Sequence, residues 1–256
     1  MKDSAKNHST ICSPQEYVFK PIPIPVGLPS ETFAEEWPSI ERQVVEKFRG
    51  QRSLGFQLAI KRLIDIVGSL VLIIILSPVL LLTALAVRFT SPGPIFFSQK
   101  RWGLNESHFL CLKFRSMRID QGKVVNLTEI REMEKKGILY KPKKDPRLNL
   151  IGAFIRKTSI DELPQLFNVV RGDMSLVGPR PLVMYMLDPY PEIRNIRCMM
   201  RPGITGLWQI SDREDNTSAA GMLPHDLDYL LHFSLWIDLK IMLVTPAAVL
   251  GGDGAC

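Results

Sequence analysis

An uncharged apolar run of 22 residues, from Ile66 to Val87, is the feature that most restricts how this chain can fold. A continuous helix of that length rises about 33 Å, enough to cross a hydrocarbon core of about 30 Å. Ser77 and Pro78 stand near its midpoint, and proline lacks the N–H that the carbonyl of Ile74 would need. Because proline in a helix interior costs about 3 kcal/mol, the sequence predicts a bend at this pair.

The bend leaves two arrangements open, a kinked helix that spans the membrane and a re-entrant hairpin that returns to the face it entered. In either, we expect the hydroxyl of Ser77 to bond the carbonyl of Ile73, so that the freed backbone stays paired in lipid. Basic residues flank both ends of the run, so the positive-inside rule gives no asymmetry between them. These residues are Lys61 and Arg62 before the run, and Arg88, Lys100 and Arg101 after it. The pattern favours the hairpin, with both ends cytoplasmic.

The chain divides into four parts around this run. Residues 1–54 are polar and rich in proline, which predicts a flexible extension. Residues 55–90 hold the membrane helix, residues 91–250 a globular domain and residues 251–256 a tail. We expect an α+β, mainly helical fold class, with a re-entrant membrane helix hairpin, a small cytoplasmic domain and amphipathic helices at the membrane interface.

Local patterns predict short elements outside the membrane helix. Ile95–Gln99 and Phe109–Arg115 fit two strands of a small hairpin. Leu227–Leu250 mixes apolar and charged residues and breaks at Pro246, which fits either a helix on the membrane surface or one packed in the core. Helical spacing predicts further helices at Thr128–Lys136, Leu148–Lys157 and Leu163–Val170, and a short amphipathic one before Gly50 that carries Ile40, Val44, Val45 and Phe48.

Charge and cysteine content narrow the class of partner. A net charge of +6 and a pI near 9.2 point to an anionic partner, which is nucleic acid, anionic lipid or a diphosphate. The sequence shows no recognition-helix or aromatic spacing typical of a nucleic-acid-binding module, which argues against nucleic acid. The four cysteines lie far apart and match neither a zinc site nor a disulfide framework, so a reducing cytoplasmic setting is expected.

Two adjacent carboxylates, Asp161 and Glu162, open the most chemically suggestive stretch of the chain. Ser159 and Glu162 match a capping box, which gives the pair a purely structural interpretation at a helix start. Pro164 fits that box poorly and suits a cap nearer Asp161. In either case we expect Asp161 at the positive end of a helix, which favours its ionised form and makes it usable as a nucleophile.

A Gly-Pro-Arg-Pro turn at residues 178–181 follows the acid pair. Its two prolines hold Arg180 too rigidly for an ordinary solvated side chain. The guanidinium offers bidentate hydrogen bonds to a phosphate, although bridging a structural carboxylate is the alternative. Asp173, between the acid pair and the turn, is expected to brace the turn rather than to bind metal.

Taken in order, these motifs resemble those of a known family. Asp161-Glu-Leu-Pro-Gln, Val177-Gly-Pro-Arg-Pro and Arg201-Pro-Gly-Ile-Thr-Gly-Leu-Trp-Gln are similar to motifs of the bacterial sugar transferases, the monotopic polyprenol-phosphate phosphoglycosyl transferases. The resemblance extends over most of the chain, from about Lys61 through Thr245. It implies that the Ser-Pro break in the apolar run makes a re-entrant membrane helix.

The resemblance implies an enzyme and its partners. Members of the family transfer a sugar 1-phosphate from a nucleotide diphosphate sugar, usually UDP-linked, to undecaprenyl phosphate, and release the nucleoside monophosphate. For this chain it implies the first membrane step of bacterial surface glycan synthesis, for exopolysaccharide, capsule or O-antigen. Residues 91–250 would be the catalytic domain, on the cytoplasmic face of the inner membrane. The implied partners are a UDP-sugar, undecaprenyl phosphate and membrane lipid, with a second copy of the chain or glycan-assembly proteins as further candidates and no nucleic acid.

The resemblance also implies roles for single residues. Asp161 would attack the sugar-bearing phosphorus to give a covalent aspartyl-phosphosugar, and Glu162 with the diphosphate oxygens would hold Mg²⁺. Arg156 would bind the lipid phosphate, although a membrane-surface cation is its plainer interpretation. The other implied substrate contacts are Arg180, Arg213, Lys113 and Arg115, of which the last two would otherwise form an exposed basic strand face.

The chain departs from the family pattern at Ser211-Asp212-Arg213, where a glycine usually precedes the arginine, and an anion therefore stands near the expected nucleotide contact. Ala153 also replaces a frequent arginine. Two other interpretations remain, an inactive scaffold of a polysaccharide assembly complex and a glycosyltransferase that transfers sugar without phosphate. Loss of turnover in Asp161→Asn would exclude the scaffold, and UMP rather than UDP as product would exclude the glycosyltransferase.

Overall fold

The computed structural model describes residues 31–50, 52–118, 132, 147–211 and 219–250. In these ranges the helices are α1 (Glu31–Gly50), α2 (Arg52–Thr90), α3 (Leu150–Lys157), α4 (Gln165–Arg171), α5 (Met184–Leu187), α6 (Pro191–Arg197), α7 (Leu207–Ser211), α8 (Ala219–His232) and α9 (Leu235–Leu250). The strands are β1 (Phe96–Trp102), β2 (His108–Phe114), β3 (Ser175–Val177) and β4 (Gly203–Thr205), with 3-10 turns at Leu104–Glu106 and Ile160–Glu162. The mainly helical α+β class is therefore confirmed, and all but one residue of the predicted helix Thr128–Lys136 lies outside the described residues.

Helix α1 belongs to the globular unit. Ile40 and Val44 are buried in the main hydrophobic core, and Phe48 packs against it. The Lys47 ammonium donates to the carbonyl of Leu231, 2.6 Å away, which fixes α1 on α8. The predicted amphipathic helix is confirmed, whereas the prediction of a flexible extension is wrong for residues 31–50.

One narrow stripe of the surface of helix α2 packs against the rest of the protein, and its other faces are apolar and exposed. Among the described residues it is the one helix long and apolar enough to cross a membrane, and only 11% of its most apolar stretch is buried. Large exposed side chains surround the stripe, such as Leu63, Val67, Ile74, Ile75, Leu81 and Leu82. Apolar surface of this extent suits hydrocarbon rather than water, so α2 is compatible with a membrane-anchoring helix.

Ser77 repairs the backbone at the proline of α2. Its hydroxyl donates to the carbonyl of Ile74 at 2.8 Å, which is the carbonyl that Pro78 leaves without a partner. The expected partner, Ile73, is therefore wrong by one residue. The helix continues through Pro78 to Thr90, so the hairpin bend stays a prediction.

Lys61 and Arg62, two of the cations that flank the apolar run, are bonded inside the protein. The Lys61 ammonium forms a buried ion pair with Asp238 of α9 at 2.6 Å and donates to the carbonyl of Val177. The Arg62 guanidinium donates to the carbonyl of Val169 at 2.7 Å, near the C-terminal end of α4. The start of α2 is therefore locked to the globular domain.

The far end of α2 packs on the same domain. Val87 is buried in a small cluster with Phe114 of β2 and Ile155 of α3. Just beyond the helix, the guanidinium of Arg115 donates to the carbonyl of Ser91 at 2.6 Å. Both ends of the apolar helix therefore rest on one globular unit.

The strands form two small sheets. Strands β1 and β2 pair antiparallel with Phe96 opposite Phe114, which confirms the predicted hairpin. Strands β3 and β4 pair in parallel, with Ser175 opposite Gly203. The second sheet joins the chain after α4 to the motif that begins at Arg201.

The C-terminal segment folds into two helices rather than one. Helix α8 lies in the core, where Leu227 and Leu230 are fully buried. The break comes at Ser234, whose hydroxyl accepts a hydrogen bond from the N–H of Ile237 and so caps α9. Helix α9 then continues through Pro246 to Leu250, so the expected break at Pro246 is wrong.

Candidate active site

The acid pair lies in the 3-10 turn Ile160–Glu162, between α3 and α4. Ser159, just before it, has a φ of 55° in the left-handed region, and its side chain makes no capping hydrogen bond. The capping-box interpretation is therefore wrong, and α4 starts only at Gln165, after Pro164. The left-handed serine turns the chain sharply, so that both carboxylates follow directly on the end of α3.

Glu162 is held by two cations. The Lys113 ammonium of β2 lies 2.6 Å from Oε1 of Glu162, and a guanidinium nitrogen of Arg180 lies 3.9 Å from the same oxygen. Burial alone would raise the pKa of Glu162, but Lys113 and Arg180 outweigh it and lower that pKa to about 2. Glu162 is therefore ionised throughout the physiological range.

Asp161 has a different environment, although it is the neighbouring residue. The residue is 8% exposed, and its side chain forms no ion pair with a described residue. Burial raises the pKa of Asp161 to about 6, against the opposing charges of Lys113 and Arg156 and with the help of the Glu162 carboxylate. The expectation that a helix dipole stabilises this carboxylate is wrong, because burial dominates. At pH 7 Asp161 is nonetheless mainly ionised, and its carboxylate is not ion-paired with any of the described residues.

A reaction in which Asp161 acts as a nucleophile is expected to lose rate as the pH falls through about 6. The carboxyl is protonated below its pKa and nucleophilic above it, so kcat/KM should rise about 10-fold from pH 5 to pH 7. Glu162, with its pKa near 2, does not titrate in this window. Steady-state assays across this range measure the profile, and pre-incubation at each pH followed by assay at pH 7 controls for unfolding. A flat profile would contradict the nucleophilic role.

Arg180 reaches the site from the Gly-Pro-Arg-Pro turn. Its guanidinium lies over the indole ring of Trp208, 4.6 Å from the ring centroid. Stacking of this kind holds the guanidinium plane and leaves its N–H edge free for in-plane hydrogen bonds. The turn and the Arg201–Gln209 motif, which the sequence places 20 residues apart, therefore meet beside Glu162.

The other predicted site residues fall into different places. Arg156 lies in the last turn of α3, and its charge lowers the pKa of Asp161, so it joins the acid pair. Arg115 does not, because its guanidinium is used by the carbonyls of Ser91 and Pro92. Arg213 lies outside the described residues.

Asn168 is a residue of the site that the residue-by-residue interpretation missed. It is fully buried and joins α4 to β2, since Oδ1 accepts from the N–H of Leu112 and Nδ2 donates to the carbonyl of Leu110. These bonds fix the strand that carries Lys113. Nδ2 also donates to Asp173 at 3.0 Å, so this carboxylate supports the end of α4. The contacts among the described residues do not join the Asp173 side chain to the Gly-Pro-Arg-Pro turn, so the expected bracing of that turn is not confirmed.

Arg101 is a second missed residue. Its guanidinium is partly buried, donates to the carbonyl of Pro181 at 2.8 Å and adds a positive charge that lowers the pKa of Glu162. The two-residue period of a strand places Arg101 and Gln99 on one face of β1, which is the only sequence signal for this role.

The arrangement suits a phosphate group next to a carboxylate nucleophile. Lys113, Arg156 and Arg180 supply positive charge around Asp161 and Glu162. The described residues hold no cluster of three metal-ligating side chains. Magnesium needs few protein carboxylates when phosphate oxygens complete its shell, and Oε2 of Glu162 bonds no described residue. The donor set therefore fits magnesium bound together with a phosphate-bearing substrate.

Comparison with known proteins agrees with this chemistry. A family model described as Bacterial sugar transferase matches residues 56–252. Galactosyl transferase CpsE of Streptococcus agalactiae is 42% identical over 195 residues, which are 76% of this chain and 43% of that protein. Undecaprenyl-phosphate galactose phosphotransferase of Salmonella typhimurium is 42% identical over 204 residues, 77% of this chain and 41% of that protein. Exopolysaccharide production protein ExoY of Rhizobium meliloti is 41% identical over 194 residues, 74% and 84% of the two chains. The chain thus spans about two fifths of the first two relatives and most of the third.

Proposed function

Because the chain belongs to the bacterial sugar transferase family, we propose that it transfers a sugar 1-phosphate from a UDP-sugar to undecaprenyl phosphate and releases UMP. The observation that carries the proposal is the adjacency of two unlike carboxylates among three cations. Asp161 is buried and forms no ion pair with a described residue, whereas Glu162 is ion-paired with Lys113. The name of the Salmonella relative, a phosphotransferase acting on undecaprenyl phosphate, supports the same reaction. The product would enter bacterial surface glycan synthesis at its first membrane step.

The first half-reaction uses Asp161 as the nucleophile. A carboxylate oxygen of Asp161 attacks the sugar-bearing phosphorus of the UDP-sugar, and the bond from that phosphorus to the bridging oxygen breaks. UMP leaves with the electron pair, and an aspartyl-phosphosugar remains on the enzyme. Lys113 and Arg180 lie where they would offset the charge on the phosphate oxygens.

The second half-reaction regenerates the carboxylate. An oxygen of undecaprenyl phosphate attacks the phosphorus of the aspartyl-phosphosugar, the bond from phosphorus to the Asp161 oxygen breaks, and undecaprenyl-diphosphate-sugar forms. Arg156, whose charge reaches Asp161, would orient the phosphate of the incoming lipid. Two separated half-reactions at one carboxylate predict ping-pong kinetics.

Magnesium would be held by Glu162 and the diphosphate oxygens. When bound there it supplies positive charge that makes UMP a better leaving group. Lys113 bonds Oε1 of Glu162, so Oε2, which bonds no described residue, is the oxygen that would be available to the cation.

We place the catalytic domain on the cytoplasmic face of the inner membrane, with α2 as a re-entrant helix. Support comes from the two ends of α2, because Lys61 and Val87 both pack on the same globular unit. A helix that crossed the bilayer in a straight line would separate these residues by about 39 Å. The Ser77 hydroxyl bond to Ile74 keeps the backbone satisfied at the expected bend.

The test is product analysis with the full chain in a lipid environment. Purified protein is incubated with Mg²⁺, undecaprenyl phosphate and a panel of UDP-sugars, and the released nucleotide is identified. We expect UMP with at least one sugar. UDP as the product would indicate sugar transfer without phosphate, and no release with any sugar would contradict the proposal.

A further inference from the structure

Two side chains outside the reacting centre hold both backbone polar atoms of Arg180. The N–H of Arg180 donates to Oδ1 of Asp226, at 3.3 Å. The carbonyl of Arg180 accepts from a terminal guanidinium nitrogen of Arg197, at 2.9 Å. Arg197 in turn bonds the other oxygen of Asp226, with its Nε 2.9 Å away. The three residues form a closed ring of hydrogen bonds around one peptide position.

The Asp226–Arg197 pair is among the most deeply buried charges of the described residues. Each side chain is 4% exposed, and the partners come from different helices, α8 and α6. A buried ion pair adds little net stability because its desolvation offsets most of the attraction. A contribution to folding stability therefore explains the presence of this buried ion pair poorly. Its two hydrogen bonds to the backbone of Arg180 give it a specific role.

The neighbouring peptide groups are held as firmly. The carbonyl of Pro179 accepts from the N–H of Gly203 at 2.9 Å, and the carbonyl of Pro181 accepts from Arg101 at 2.8 Å. Since prolines carry no N–H, every backbone donor and acceptor from Pro179 to Pro181 has a partner. Only Arg180 in this segment depends on a charged pair for both of its bonds.

We propose that Asp226 and Arg197 are positioning residues that aim the Arg180 guanidinium at the phosphate group beside Asp161. The inference rests on the proposed function, in which Arg180 binds that phosphate. The hydrogen bonds from Asp226 and Arg197 fix the backbone position from which the Arg180 side chain extends. The Trp208 ring sets the plane of the guanidinium. Displacement of a phosphate-binding group by about 1 Å costs about 100-fold in rate. Neither Asp226 nor Arg197 needs to contact the substrate.

Asp226→Asn in the full chain, embedded in lipid nanodiscs, tests the proposal. Asparagine keeps the shape of the side chain but loses the charge that holds Arg197. We expect kcat to fall about 10- to 100-fold. The matched control is Asp238→Asn, which breaks the buried Lys61–Asp238 pair, whose cation also donates to a carbonyl. We expect both variants to melt at lower temperature, with kcat within about 3-fold of wild type in the control.

A double-mutant cycle separates positioning from general destabilisation. If Asp226 acts through Arg180, then Asp226→Asn added to Arg180→Ala should lower kcat by less than about 2-fold further. A role in stability alone would give the same loss in both backgrounds and would overturn the proposal. If Asp226→Asn does not fold, Arg197→Lys keeps a positive charge without the forked donors and should show the same non-additivity.

Hydrogen exchange gives a readout that does not depend on turnover. Arg180 carries the only N–H between Pro179 and Pro181, so its exchange is followed in peptides covering this turn. We expect faster exchange in Asp226→Asn and unchanged exchange in Asp238→Asn. Unchanged exchange together with unchanged kcat in Asp226→Asn would overturn the inference. If exchange is faster in Asp226→Asn but the wild-type protein itself releases no UMP, the hold of Asp226 on the Arg180 backbone is supported and the proposed function is refuted.

Discussion

Asp161→Asn is expected to abolish sugar-phosphate transfer, with a loss in kcat of at least about 1,000-fold, as is usual when a nucleophile is removed. Asparagine has nearly the same shape but cannot attack phosphorus as a carboxylate does. It also cannot retain the phosphosugar, so the covalent adduct should vanish. Incubation with a UDP-sugar labelled in the sugar, followed by denaturation and intact-mass analysis, measures the adduct directly.

Asp173→Asn is the matched control for this experiment. Asp173 is an aspartate 12 positions further along the chain, and it accepts a hydrogen bond from Asn168 that asparagine can also accept. We expect turnover within about 3-fold of wild type and an adduct of normal yield. If Asp161→Asn keeps normal turnover, the chain is a scaffold or uses another nucleophile, and the proposed mechanism is wrong.

The sequence motifs identified the chemical groups of the site but not the pKa values that set their protonation. Asp161, Glu162 and Arg180 could be found because they stand in short ordered motifs, and the structure brings them together. The pKa of Asp161 could not be predicted from its neighbours in the chain. It depends on burial by residues remote in sequence and on Lys113, which lies on a strand 48 positions earlier. Local pattern pointed to a helix dipole because it could not show that Ser159 adopts a left-handed conformation.

Local sequence signals predicted the helices and strands better than they predicted the long-range contacts. The hairpin of β1 and β2, α3 and α4 follow from periodicity over a few residues. The Lys61–Asp238 ion pair joins residues 177 positions apart, and no local pattern distinguishes such a lysine from a cation that faces lipid head groups. The proline at position 246 was misleading because the helix continues through it to Leu250, and the break in this segment lies at the Ser234 cap instead.

Gly203→Ala is expected to have the largest effect on stability of any single methyl addition in the small parallel sheet. A Cβ at Gly203 would lie 2.1 Å from the backbone nitrogen of Gly178 and 2.3 Å from the carbonyl oxygen of Thr205. Both neighbours are backbone atoms, so no side chain can move aside. We expect a loss of at least about 3 kcal/mol, at the upper end of what overpacking costs. For a chain of this size that is a fall in Tm of about 6 to 12 °C.

Gly55→Ala is the control that separates this clash from a general intolerance of alanine. A Cβ at Gly55 meets nothing within 4 Å, and alanine is favoured over glycine in a helix by about 1 kcal/mol. Its Tm should therefore equal or exceed that of wild type. Gly203→Ala should also impair turnover, because the N–H of Gly203 bonds the carbonyl of Pro179, next to Arg180. A Gly203→Ala protein with the wild-type Tm and kcat would show that β4 does not approach the Arg180 turn this closely.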